Sequence, residues 1–206
     1  LDIVNGDIRL LSGKKIYFDQ LVIALGAETN FFDIPGLKEA ALPFKSLIDA
    51  LKIRDELTSQ PLGFKPKVII GGGGSTGVEL AGEIKSWLCQ LQEEFSKCAV
   101  SVKIIEGSSS VLPGFDEKII GKVTKRLKQI DIKLLLNELI EKAEPGKVHL
   151  KSGQVVDFDI LIWTGGVKAA SLMGTLPLKK EQKGRVEAIG EMECLPQSPD
   201  LKLYGK

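Results

Sequence analysis

Two kinds of apolar pattern alternate along the chain. Val68-Ile69-Ile70 is a short continuous apolar run of the kind a fully buried strand shows. After a glycine cluster, Leu80, Ala81, Ile84, Trp87, Leu88, Leu91 and Phe95 recur at helical spacing. The runs at 100–105, 132–136 and 160–163 read as further strands. Between the first two, Ile119, Ile120, Val123 and Leu127 share one side of a helix over 116–130, with Asp116 and Glu117 suited to its positive end. Residues 46–59 read as another helix, anchored by Leu47, Leu51 and Leu57, with Ser46 as its cap. Residues 139–156 read as an antiparallel excursion. The pattern predicts an α/β fold, a Rossmann-like βαβ domain carrying an antiparallel insertion.

The glycine cluster lies at the junction of the first strand and its helix. Gly72, Gly74 and Gly77 satisfy G-x-G-x-x-G in that context, with Gly73, Ser75 and Thr76 between them. Gly72 would permit a tight turn, Gly74 would let the backbone approach a pyrophosphate, and Gly77 would let helix pack closely on strand. The N–H groups at the helix start would face the phosphate charge. Glu106 ends the next strand, where an adenosine ribose would lie. A carboxylate there accepts from both ribose hydroxyls and repels a 2′-phosphate, so NADH is expected over NADPH.

The chain also contains a repeat. Residues 8–26 (IRLLSGKKIYFDQLVIALG) align without a gap on residues 148–166 (VHLKSGQVVDFDILIWTGG), Ser12-Gly13 against Ser152-Gly153 and Phe18-Asp19 against Phe158-Asp159. Each copy reads as a strand, a Ser-Gly turn, a second strand and an apolar third strand ending in glycine. The second copy closes the domain opened by the glycine loop, so the first is expected to close a similar, incomplete one. The expected organisation is a C-terminal part of an FAD-type domain at 1–34, a connecting helix and linker at 35–66, an NAD(H)-binding domain at 67–176, and a return segment at 177–206. Its apolar end, 201–205, reads as a strand.

Composition excludes more than it assigns. With 28 Lys plus Arg against 27 Asp plus Glu, the net charge of +1 offers no attraction to nucleic acid or an anionic surface. No apolar stretch is long enough to span a bilayer. Cys89 and Cys98 fall on one predicted helix. At about 100° and ~1.5 Å per residue they would point to opposite sides, too far apart to bridge. With Cys194 alone and no metal-ligand spacing, the usage suits a reducing cytoplasm. Alternation puts His149 opposite its apolar neighbours, as a solvated strand histidine. No catalytic constellation is present.

These motifs resemble the pyridine nucleotide–disulfide oxidoreductase superfamily, and within it the type II NADH dehydrogenases. The resemblance rests on residues 18–27, Ile34-Pro35-Gly36, residues 72–83 and Ile162-Trp163-Thr164-Gly165-Gly166-Val167-Lys168. Ser75 stands where the family often has proline, and Gly165-Gly166 where it often has Ala-Gly. The resemblance implies NADH bound by Gly72 to Gly77 and Glu106, with Gly165 and Gly166 beside the nicotinamide half and Glu79 as a nicotinamide-side contact. It implies FAD in the intact protein only, touched by Ala24 to Ala27, and hydride passing from NADH to flavin and on to a quinone. The isolated chain is expected to hold no FAD and show no turnover. It is expected to be cytoplasmic, with the parent peripheral on the inner face of a membrane through a region outside this sequence. A ferredoxin-, sulfide- or disulfide-linked flavoprotein and a non-catalytic nucleotide-binding redox sensor are the alternatives.

Overall fold

The computed structural model describes residues 1–59, 64–91, 98, 100–181, 184–190 and 193–197. The chain divides into two compact units, one formed by Leu1–Glu28 with Val167–Lys206 and the other by Thr29–Gly166. The strand expected at 201–205 and the stripe position Phe95 lie outside the described residues.

In the first unit, β1 (Asp7–Arg9) and β2 (Lys15–Tyr17) form an antiparallel hairpin. β3 (Ala27–Thr29) follows. The second unit begins with α1 (Leu37–Ala40), β4 (Leu42–Pro43) and α2 (Leu47–Thr58). Then come β5 (Lys67–Gly71), α3 (Ser75–Leu91), β6 (Ser101–Glu106), α4 (Glu117–Gln129) and β7 (Ile132–Leu136). β8 (Ile140–Glu144), β9 (Lys147–Leu150) and β10 (Val155–Asp157) form the antiparallel excursion, and β11 (Ile160–Trp163) returns to the main sheet. β12 (Val167–Ala169), which pairs with β3, and α5 (Ser171–Thr175) complete the first unit.

The main sheet is parallel, in the order β4-β11-β5-β6-β7. The chain steps outward from β5 to β7, then returns to the other side of β5 through β11. The strand order therefore switches between β5 and β11, the place where open α/β sheets bind ligands. Each face of the sheet is covered. Val68, Ile70, Val102 and Ile104 pack with Ala81, Ile84 and Leu88 of α3 and Leu127 of α4. Ile69, Ile105 and Leu161 pack with Ile140, Val148 and Leu150 of the excursion. Burial on both faces explains why these strands read as continuous apolar runs.

The stretch expected as a connection belongs to this second unit. β4 pairs with β11, and α2 buries Ile53 and Leu57 in the helix-side core. Ser46 caps α2 in a capping box, accepting from Asp49 N while the Asp49 carboxylate accepts from Ser46 N. Removing the cap with Ser46→Ala should cost about 1 kcal/mol in a denaturant titration. Burial works to raise the Asp49 carboxyl, but hydrogen bonds from Ser46 and Lys45 outweigh it and hold it below its ordinary 3.8. A depressed folded value means this stabilisation is complete above the unfolded value and is lost as pH falls through the folded one. Asp49→Asn should therefore flatten the stability profile below pH 3.8 and leave its shape at neutral pH unchanged.

The repeat is reproduced bond for bond. Ile8 faces Ile16 as Val148 faces Val156. Leu10 N donates to Lys14 O, Gly13 N to Leu10 O and Phe18 N to Gly6 O. Leu150, Gly153 and Phe158 do the same with Gln154, Leu150 and Gly146. Gly13 and Gly153 take φ of 84° and 87° in the matching turns. The copies then diverge. Residues 160–163 form β11, whereas Leu21 to Leu25 form no strand, contrary to the expectation. β11 has β4 and β5 as ladder partners; the first copy has none among the described residues, and Val22 is left 88% exposed. An apolar run without a partner cannot satisfy a ladder.

The cysteine expectation is corrected. Cys89 and Cys98 form a disulfide, with their Cα atoms 5.3 Å apart. Cys98 is not helical, so the helical separation does not apply. The argument for a reducing compartment loses its support. His149 lies on β9 between buried Val148 and Leu150 with 34% of its side chain exposed, as the alternation predicts. Its Nε2 is enclosed, 3.4 Å from Glu144 Oε2. Lys142 and then His149 hold the Glu144 carboxyl below its ordinary value.

Candidate functional site

β5, β6 and β11 run parallel, so their C-terminal ends converge on one edge of the sheet. Gly71 ends β5, Glu106 ends β6, and Thr164 to Gly166 follow β11. The glycine loop turns over this edge. Gly72 adopts φ 112°, where a side chain is strained. An added Cβ would also lie 2.9 Å from Gly165 Cα and from Thr164 Oγ1. Gly72 N donates to Ile105 O at 2.8 Å, and Leu112 N to Gly73 O at 2.8 Å. The loop is thus pinned to β6 and to the segment beyond it.

The glycines differ in what they permit. At Gly77 an added Cβ would lie 1.9 Å from Gly72 O, so this glycine is what lets α3 start against the loop backbone. At Gly74 an added Cβ meets nothing within 4 Å. Nothing in the fold itself requires glycine there. Gly73 lies against Glu106, its hypothetical Cβ 3.0 Å from that residue's Cβ. Ser75 and Thr76, in the first turn of α3, are exposed. The first N–H groups of a helix have no partner within it, and here they sit at the positive end of a 17-residue helix.

Glu106 is tied to the loop. Its Oε2 accepts from Gly73 N at 2.7 Å, and its Oε1 from Ser108 N at 2.8 Å. Each carboxylate oxygen has two lone-pair positions, so both retain capacity for a further donor. Glu106, Gly72 and Gly165 border one cavity of about 520 Å³ with Ser108, Leu139 and Trp163. The size suits a small-molecule site. Three of the expected residues, Gly72, Glu106 and Gly165, border this cavity, with Gly73 against Glu106 and Gly77 against Gly72 behind them. Gly166 follows, against Phe32, whose ring an added Cβ would approach to 2.9 Å.

Glu79 goes elsewhere. It points off the packed face, as the 200° offset from Gly77 requires, and is exposed. It lines the groove between α3 and α4, not the cavity that holds Glu106 and Gly165. The structure does not place Glu79 at the cavity with Glu106 and Gly165.

Thr164 was not singled out from sequence. Thr164 N donates to Gly71 O at 2.8 Å, and its hydroxyl is shared between Gly71 O and Gly72 O at 3.1 and 3.2 Å. It locks the end of β11 to the loop. Its place between the strand and Gly165-Gly166 is the available signal. Trp163 is likewise held, its Nε1 donating to Asn30 O at 2.7 Å and its ring meeting Phe32 edge-on.

Residues 2–193 match the family model described as pyridine nucleotide-disulphide oxidoreductase. The chain is 29% identical over 206 aligned residues to an internal alternative NAD(P)H-ubiquinone oxidoreductase A1, mitochondrial, from Arabidopsis thaliana, covering 93% of this chain and 40% of that protein. It is 26% identical to a type II NADH:quinone oxidoreductase from Haemophilus influenzae, over 82% of this chain and 44% of that one. Among solved structures, an NDH2 from Plasmodium falciparum in complex with NADH superposes with a TM-score of 0.73 at 24% identity, covering 87% of this chain and 41% of that one. The chain thus spans about two fifths of the length of these relatives.

Proposed function

Since the chain belongs to the pyridine nucleotide-disulphide oxidoreductase family, we propose that its second unit is the NADH-binding part of an FAD-dependent NADH dehydrogenase whose electrons pass to a quinone. The observation that carries this reading is the pairing of loop and acid. Gly74 stands bare at the start of α3, and Glu106 is bonded to the adjacent Gly73 N–H.

Each residue then has a physical task. The N–H groups of Ser75, Thr76 and Gly77 face the pyrophosphate charge at the helix end. Gly74 lets those phosphates approach the backbone. Glu106, oriented by Gly73 N and Ser108 N, offers its remaining lone pairs to the ribose hydroxyls and repels a 2′-phosphate. Thr164 holds Gly165 against Gly72, so the floor beside the nicotinamide is backbone without side chains. Ala24 to Ala27 of the first unit form the flavin-side contact in the whole protein. The bound nicotinamide and flavin supply the hydride chemistry, and the chain positions them.

The quinone acceptor is supported by the relatives' names, which specify ubiquinone or quinone. Calorimetric titration with NADH and with NADPH tests the nucleotide reading. NADH should bind at least about tenfold tighter, the effect of one charged hydrogen bond against a repelled phosphate. Equal or tighter NADPH binding would remove Glu106 as the ribose reader, and binding of neither would remove the proposal.

A further inference from the structure

The Cys89–Cys98 bridge lies away from the nucleotide site and has no part in the function proposed above. Cys89 is buried on α3, and Cys98 is partly exposed. Both residues line the open groove between α3 and α4, a cavity of about 840 Å³. Cys98 is the more exposed of the two residues. Lys85, one turn before Cys89, is also buried. Its Nζ donates to Val100 O at 2.6 Å and lies 3.7 Å from Asp131 Oδ2. Lys85 and Arg126 share the groove with Glu79, Glu83 and Asp131, so it carries both signs and favours no strongly charged reductant.

We propose that Cys89 and Cys98 form a reversible thiol–disulfide exchange site served by a small dithiol. A thiolate of the dithiol attacks Cys98 Sγ, forming a new S–S bond there and breaking the bond to Cys89. The electron pair leaves on Cys89 Sγ, which takes up a proton. The second thiol of the reductant then attacks its own sulfur in the mixed disulfide and releases Cys98 as a thiolate, which is protonated in turn. Two electrons and two protons pass to the cysteines, and the reductant leaves as a cyclic disulfide.

The bridge has a defined structural effect. It joins the C-terminal end of α3 to the start of the segment leading into β6. Those elements carry the glycine loop and Glu106 at their opposite ends. In the dithiol state the same ends are held by the Lys85–Val100 hydrogen bond and apolar packing. The bridge closes a short loop, so losing it enlarges the unfolded ensemble.

Thiol titration in denaturant should find one thiol per chain, Cys194, in air-oxidised protein, and three after treatment with dithiothreitol. Reduction should proceed on the folded protein, lower Tm by about 5–10 °C, and reverse on adding oxidised dithiothreitol. Cys98→Ser should abolish the redox-dependent shift, and Cys194→Ser should retain it. Three thiols in air-oxidised protein, or a bridge that reduces only where the chain unfolds, would overturn the proposal. An unchanged Tm on full reduction would overturn the effect on the fold.

Discussion

Gly77→Ala should destabilise the second unit by about 3 kcal/mol or more and abolish nucleotide binding, whereas Gly74→Ala should leave stability within about 1 kcal/mol of the parent. The two glycines belong to one motif but meet different surroundings. A Cβ at Gly77 would lie 1.9 Å from Gly72 O. That nearest atom is backbone and cannot rotate away, although Thr164 Oγ1, 2.8 Å off, can. Either α3 backs off from the loop or the loop is dragged off β6, to which Gly72 N is bonded. A Cβ at Gly74 enters open space. Its cost appears only when a phosphate approaches, so Gly74→Ala should weaken NADH at least about tenfold with the fold intact. Chemical denaturation and calorimetric titration of both variants separate the effects. Unweakened NADH binding by Gly74→Ala would mean that the pyrophosphate does not cross this loop.

Glu106→Ala should weaken NADH about 10- to 100-fold, as expected for losing charged hydrogen bonds, and should narrow its advantage over NADPH. The substitution also leaves Gly73 N and Ser108 N without their acceptor. Some loss of stability, about 1–3 kcal/mol, should accompany it. Glu106→Gln separates the roles incompletely, because its amide nitrogen would face one of those N–H donors. The decisive quantity is therefore the ratio of NADH to NADPH affinity, which a general loosening of the loop leaves unchanged. A constant ratio in Glu106→Ala would show that the carboxylate organises the loop and does not read the ribose.

Local pattern determined much of this protein. Strand and helix positions around the glycine loop follow from apolar periodicity, because the central strands β5 and β11 are buried on both faces and α3 on one. The turn glycines and Ser46 act within a few residues of themselves, so sequence reveals them. The repeat was legible for the same reason: its hydrogen bonds, from Leu10 to Lys14 or Gly13 to Leu10, are local. Glu106 was legible because a strand of known length places its last residue at the sheet edge.

What tertiary structure decided depends on partners distant along the chain. β4 becomes a strand because β11 lies beside it, and Leu21 to Leu25 have no ladder partner among the described residues. Cys89 meets Cys98 because Cys98 lies off the helix on which the apolar stripe places it. Thr164 gains its role from the carbonyls of Gly71 and Gly72, and Glu79 its groove from α4. Periodicity records which face of an element is buried. It carries no record of which other element arrives to bury it, since that choice is made by packing and ladder bonds between segments that the sequence keeps apart.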